Sequence, residues 1–207
     1  MRHWLIILPL ILSACKPEPK ISTYEIKSEN APTPTKVTES SSSKNTAMKG
    51  DASMQAEVAS FAEPKWGTIP KTWITSAPNP MRKGSWSITD SDGTKAEIAV
   101  TVFPGDVGGD AANVNRWRGQ LGLEKISEDK IRAEQTPIKS ASLTGRVYQL
   151  ISADGKKSTT AVILPKDNAT WFFKLTGDTA IVNTEKESFL KMVTETQLPW
   201  VQINLQS

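Results

Sequence analysis

Histidine and cysteine are almost missing from this chain of 207 residues: His3 and Cys15 are the only ones, and both lie within the first fifteen positions. Everything after residue 15 therefore has neither an imidazole nor a thiol. That excludes Ser/His/Asp and Cys/His nucleophilic catalysis, zinc held by His or Cys, dithiol redox chemistry and disulfides within the chain. No catalytic residue, cofactor or metal is expected. The apolar run from Trp4 to Leu12 is too short to cross a bilayer as a permanent helix. Charge of one sign is not in excess either. The formal net charge is +3, and setting aside the first fourteen residues leaves 24 basic against 22 acidic side chains, so nothing asks for nucleic acid.

What is present begins at the N-terminus. A basic start at Arg2 followed by the Trp4 to Leu12 run has the form of an export signal. Leu12, Ser13, Ala14 and Cys15 then resemble the lipobox of bacterial lipoproteins. The resemblance implies that residues 1–14 are a signal peptide, removed before Cys15, and that Cys15 is the lipid attachment site. At ~0.8 kcal/mol per buried CH₂, two or three acyl chains hold a protein on a membrane almost permanently. The membrane is thus an expected partner, through the lipid anchor. Lys16 stands where an Asp would be the usual inner-membrane retention signal, so the expected location is the outer membrane, facing the periplasm. From Lys16 to about Ser60 the chain has few large apolar residues and is rich in Ser, Thr, Pro, Lys and Glu. Residues 15–60 are therefore expected to be the lipidated Cys and a disordered tether, about 45 residues with a random-coil reach of about 35–40 Å. Within it, Met48, Met54, Val58 and Phe61 have loosely helical spacing, which suggests a short helix over Thr46–Phe61.

Residues 61–198 have the size of one domain, followed by a tail at 199–207. Gly84–Thr89 and Glu97–Phe103 alternate apolar and polar residues around a turn at Asp90–Gly93, the pattern of a hairpin. Leu143–Ser152, Thr159–Leu164 and Thr170–Leu175 read as three more strands, the last two apolar enough for the middle of a sheet. Residues 136–142 look irregular. Ser127 is placed to cap a short helix, and Thr184 with Glu187 forms a capping box for a final helix to about Gln197. The fold class expected is α+β, an antiparallel β-sheet with helices packed on it.

The stretch Phe103–Leu123 is the focus of the chain. Three glycines and a proline between Pro104 and Gly109 require a tight turn. A helix follows, with Asp110 as its expected N-cap and Gly122 as the αL residue that closes it. Val114, Trp117 and Leu121 make its apolar side, and Asn113, Arg116 and Gln120 a polar row. The order of elements resembles the Mog1/PsbP-like fold, an αβα sandwich. More narrowly, Met81-Arg82, the Phe103–Leu123 stretch and Trp171–Gly177 are similar to a bacterial family of exported proteins without an established activity. The PsbP resemblance implies an accessory, binding-type role; the lipobox, the tether and the lack of the usual catalytic side chains lead to the expectation of a domain that binds an envelope protein or a small ligand at the face of the glycine loop and the Arg116 helix.

The ligand-binding candidates are Arg116, Asn113, Gln120 and Arg118. A glycine turn before a helix can hold an anion, yet GDVGGD matches neither dinucleotide nor nucleotide phosphate loops, and Asp106 and Asp110 oppose one. Tight backbone packing is the plainer reading. Arg116 has a plain reading as well, a clasp on loop carbonyls and a carboxylate. Asp90-Ser91-Asp92-Gly93 resembles the opening of a calcium loop, but Thr101 occupies the position that needs Glu. Two alternatives to a non-enzymatic binding domain remain. One is a carbohydrate- or cell-wall-binding module working through exposed tryptophans, for which Trp66, Trp73 and Trp200 are available because Trp86, Trp117 and Trp171 lie on apolar faces. The other is an enzyme that works without His or Cys, through Asp106, Asp110 and Arg116.

Overall fold

The computed structural model describes residues 52–141 and 143–199. The signal segment, Cys15, most of the tether and Trp200 lie outside the described residues.

Alternating residues build a seven-stranded sheet, antiparallel throughout, in the order β1-β2-β3-β7-β6-β5-β4. Its strands are β1 (Ile74–Thr75), β2 (Gly84–Thr89), β3 (Lys95–Pro104), β4 (Thr136–Ser140), β5 (Leu143–Ile151), β6 (Lys157–Lys166) and β7 (Ala169–Asp178). The helices are α1 (Ala52–Ser60), α2 (Gly109–Gln120), α3 (Glu128–Glu134) and α4 (Thr179–Glu195). The architecture is the expected α+β class, with helices on both faces of the sheet.

The central strand β7 shows why both faces need cover. Trp171, Phe173 and Leu175 enter one core, with Ile98, Val100 and Val102 of β3, Val162 and Leu164 of β6, and Ile181, Val182, Phe189, Met192 and Val193 of α4. Phe172 enters the other, with Tyr148, Leu150, Ala161 and Ile163, beneath Val114 and Trp117 of α2 and Ile131 of α3. A strand apolar on both sides suits a sheet covered on both sides. Val58 and Phe61 join the α4-side core, so α1 belongs to the folded body ahead of residue 61.

The hairpin β2-β3 forms as expected, with the Asp90 carboxylate accepting the backbone N–H groups of Asp92 and Thr94, each at 3.0 Å. The turn between β6 and β7 uses Asp167 and Asn168 at φ 49° and 56°, the two left-handed residues of a tight hairpin. Three expectations need correction. Residues 136–140 are not irregular but form the edge strand β4, where Pro137, having no N–H to give, is tolerated. Ser140 ends that strand buried, its hydroxyl donating to the Val193 carbonyl at 3.0 Å and so tying the sheet edge to the end of α4. The final helix starts at Thr179, five residues before the expected cap at Thr184, whose hydroxyl instead turns back to the Ala180 carbonyl at 3.1 Å. Asp178 precedes that helix, but its carboxylate accepts from the Lys95 N–H at 2.8 Å and the Lys157 ammonium at 2.7 Å, joining β7 to both neighbouring strands. Finally, α4 ends at Glu195, two residues early.

Candidate functional site

Two hollows flank α2, and the loop that leads into the helix determines which residues face each. Gly105, Gly108 and Gly109 have φ of 69°, 79° and 65°, a region that residues with a Cβ avoid. Their N–H groups are all engaged within the fold: Gly105 to the Asn168 carbonyl at 2.7 Å, Gly108 to the Asp106 carbonyl at 2.8 Å, and Gly109 to the Asp106 carboxylate at 3.1 Å. With all three glycine N–H groups engaged within the fold, the loop packs backbone and presents none of those donors to a phosphate. Asn113, buried, pins the loop from the helix side by donating its amide to the carbonyls of Val107 (2.9 Å) and Gly109 (2.8 Å).

Asp110 is not the N-cap. Left-handed Gly108 takes that position, which frees Asp110 in the first turn of α2 to reach β5. There its carboxylate accepts from Arg146 Nε and, at 2.7 Å, Arg146 Nη2, and from the Tyr148 hydroxyl. Burial first, then the Asp110 carboxylate, pushes the Tyr148 phenol well above its ordinary pKa. The hydrogen bond to Asp110 raises that of Arg146. The helix closes on Gly122 at φ 69°, with Leu123 N–H bonded to the Arg118 carbonyl (2.9 Å) and Gly122 N–H to that of Gly119 (3.1 Å), the expected C-terminal motif.

The larger hollow, about 630 Å³, lies between the glycine loop, α3 and β5 and is lined by Asp110, Glu128, Arg132, Arg146 and Tyr148 among others. Both of its arginines are matched, Arg146 by Asp110 and Arg132 by Glu128 at 2.8 Å, while Asp106 adds a carboxylate that accepts from the Gly109 N–H.

The smaller groove, about 310 Å³, lies on the other side of α2. Ala99, Thr101 and Phe103 of β3 and Phe172 and Lys174 of β7 line it from the sheet, Asn113, Arg116 and Trp117 from α2, with Arg82 and Met54 also contributing. Trp117 meets Phe172 edge to face at 6.0 Å, and Phe103 lies tilted on the same ring at 6.2 Å. Lys174 is paired across the sheet with Ala99 on one side and Ala161 on the other, two small residues that leave its stem room. Its ammonium donates to the Gln120 side-chain carbonyl at 3.2 Å. Burial, and then the positive charge of Arg82, hold its pKa below the usual lysine value; Glu97 pulls the other way and Arg116 adds to the lowering. Arg82 is engaged by both oxygens of Glu97 and donates to Ser85 at 2.9 Å. Arg116 is exposed and donates to the Asn113 side-chain oxygen at 3.1 Å; among the described residues no carboxylate lies within ion-pair distance of it.

The four candidates thus separate. Asn113 and Arg116 line the groove, Gln120 is joined to it through Lys174, and Arg118 leaves it to donate to the Glu124 carbonyl at 2.8 Å, clasping the link between α2 and α3. The clasp on a carboxylate expected of Arg116 is absent among the described residues. Asp106, Asp110 and Arg116 are not gathered: the two carboxylates face the larger hollow and the arginine the groove. The tryptophans form no exposed row among the described residues. Trp73 is buried with its indole N–H on Glu185 at 2.9 Å, and Trp66 is partly covered, edge to face with Trp86 at 5.2 Å. Lys174 and Arg82 were missed as site residues. A signal existed for Lys174, because it is the one charge in the apolar run Trp171–Leu175 and alternation places it on the face of Phe172.

Among the described residues no helix is long and apolar enough to cross a membrane, and no three acidic, His or Cys side chains gather where they could hold a metal. No protein-family model matches the chain, and no curated protein sequence matches it. Solved structures do resemble it. A protein from Bacteroides thetaiotaomicron matches with 12% identity and a TM-score of 0.38 over 64% of this chain, which spans only 44% of that protein's length. Cyanobacterial PsbP from Synechocystis matches with 12% identity and a TM-score of 0.41, over 64% of this chain and 85% of its own. The Ran-binding protein Mog1p of Saccharomyces cerevisiae matches with 9% identity and a TM-score of 0.37, over 64% of this chain and 88% of its own. These are likenesses of architecture at low identity, from which nothing about function follows.

Proposed function

We propose that this is a lipid-anchored protein of the bacterial envelope, held at the outer membrane facing the periplasm by Cys15, whose folded domain binds a small ligand or an envelope partner without catalysing a reaction. The groove beside α2 is its binding site. One observation carries the choice of site: Arg116 and Lys174 bring two positive charges to an apolar, aromatic groove where, among the described residues, the neighbouring carboxylate of Glu97 is already held by Arg82. The positive charge of Lys174, partly desolvated there, costs free energy in the empty domain, and a bound partner of opposite charge recovers it. The larger hollow offers no such gain, because its arginines are already paired.

Two measurements test this. Mass spectrometry of the purified protein should find Cys15 acylated and N-terminal, and Cys15→Ser should release the protein from the membrane fraction. An intact, unmodified thiol would remove the anchor. Native mass spectrometry of the protein taken from cells should find a non-covalent adduct that Arg116→Ala loses while its circular dichroism is unchanged. An adduct equally abundant in both proteins would place the ligand elsewhere, and a turnover abolished by Arg116→Ala would contradict the non-enzymatic reading.

A further inference from the structure

We infer that the groove beside α2 takes a small organic phosphate: a dianionic head between Arg116 and Lys174, carried on a flat apolar body that lies against Phe103, Trp117 and Phe172. This rests on the reading of the groove as the binding site and adds the chemical class of the ligand.

The charge count selects the head. Of the three cations that line the groove, Arg82 is offset by Glu97, which engages it through both oxygens. Arg116 and Lys174 remain, and among the described residues their hydrogen-bond partners are neutral, the side chains of Asn113 and Gln120. Two positive charges match a phosphate monoester, which carries about −1.5 to −2 near neutral pH; a carboxylate leaves one of them uncompensated. The donors also suit it. Arg116 spends one N–H of its fork on Asn113, and the others stay available for two oxygens of one head, while the ammonium of Lys174 has donors beyond the one given to Gln120. The lowered pKa of Lys174 is the mark of a cation held among cations in a partly dry place, and a dianion at that point reverses it.

The walls select the body. Trp117 and Phe103 both contact the Phe172 ring, so an aromatic surface lies beside the two cations, and Ala99 and Thr101 keep the neighbouring strand low. Met54 at the rim is 41% exposed, a flexible thioether able to fold over a flat ligand. A volume of about 310 Å³ suits one fused ring system and its head rather than a long chain.

The test is calorimetric titration of the full chain bearing Cys15→Ser with 1-naphthyl phosphate, against inorganic phosphate, 1-naphthol and 1-naphthoate. Saturable binding of 1-naphthyl phosphate is expected, with each of the other three about tenfold weaker or more. Arg116→Gln and Lys174→Met should each weaken it by about tenfold or more, while Arg132→Gln, in the other hollow, leaves it unchanged. Melting curves guard against misfolding, since Lys174→Met removes a penalised charge and is expected to melt no lower than the parent. Binding of 1-naphthoate or 1-naphthol as tight as that of the phosphate ester overturns the class of ligand and leaves the groove as the site. Equal binding of inorganic phosphate overturns the role given to the aromatic walls. If all four probes fail while Arg116→Ala still strips the native adduct, this inference is wrong and the site stands; if the adduct survives as well, both are wrong.

Discussion

Replacing Asp110 by alanine should cost the domain about 2–3 kcal/mol. The carboxylate bridges the first turn of α2 to β5 by accepting from Arg146 twice and from Tyr148 once. Removing it leaves a guanidinium and a phenol without their shared acceptor, the phenol keeping only Gln135 at 3.5 Å. Fully exposed ion pairs are worth about 0–1 kcal/mol, and breaking a buried one costs about 3–5 kcal/mol. With side chains 22% exposed for Asp110 and 32% for Arg146, this pair lies between those limits. For a domain near 150 residues, each kcal/mol moves the melting temperature by about 2–4 °C, so a fall of about 5–10 °C is expected by scanning calorimetry. A double-mutant cycle with Arg146→Met should return a coupling of about 1–2 kcal/mol. A loss below ~1 kcal/mol, or effects additive within ~0.5 kcal/mol, would refute the bridge as a stabilising element.

Three other outcomes follow from the same structure. The Tyr148 phenol has a folded pKa above its unfolded value near ~10, so its contribution is complete below that pH and is lost as the pH rises past it; Tyr148→Phe should flatten the fall in urea stability above pH ~10, and an unchanged alkaline slope would contradict this. Lys174 has a folded pKa below its unfolded value near ~10.4, so its penalty is present at neutral pH and relieved as the pH climbs toward that value. Lys174→Met should therefore raise the melting temperature at pH ~7 and lose that advantage in alkali, and a lower melting temperature at neutral pH would show that the lysine stabilises the empty groove. Gly177 lies where β7 pairs with β3, and a methyl there would press on the Lys95 carbonyl and stand 2.5 Å from the Ala96 Cα, so Gly177→Ala should cost about 2–3 kcal/mol or abolish folding. A urea midpoint within error of the parent would mean that the two strands can part.

Much of the fold was legible because alternation is a local property. Ile98, Val100 and Val102 declare the inner face of β3 without reference to any other segment, and the β6 and β7 runs declare their central place by being apolar on both faces. Where local pattern and non-local contact disagree, the reading failed. β4 carries Pro137, and polar Thr136 and Ser140 stand on the same face as Ile138, which hides the alternating pattern but does no harm on an edge strand. The start of α4 was hidden because Ile181 and Val182 continue the β-branched character of the strand before it. Asp110 has the chemistry of an N-cap, but a left-handed glycine occupied that place, and the carboxylate's actual partners lie 36 and 38 residues further along the chain. The site divides in the same way. Arg116 was visible in the polar row of one helix, whereas the groove exists only because β3 and β7 pair and set Lys174 beside Ala99.

The central claim is that ligand enters beside α2 on the side of Arg116 and Lys174. Backbone amide shift mapping of the full chain during titration with 1-naphthyl phosphate tests it most directly. The expected shifts cluster at Ala99, Thr101, Arg116, Phe172 and Lys174. Shifts centred instead on Asp110, Arg132 and Arg146, or no saturable shift at all, would contradict it.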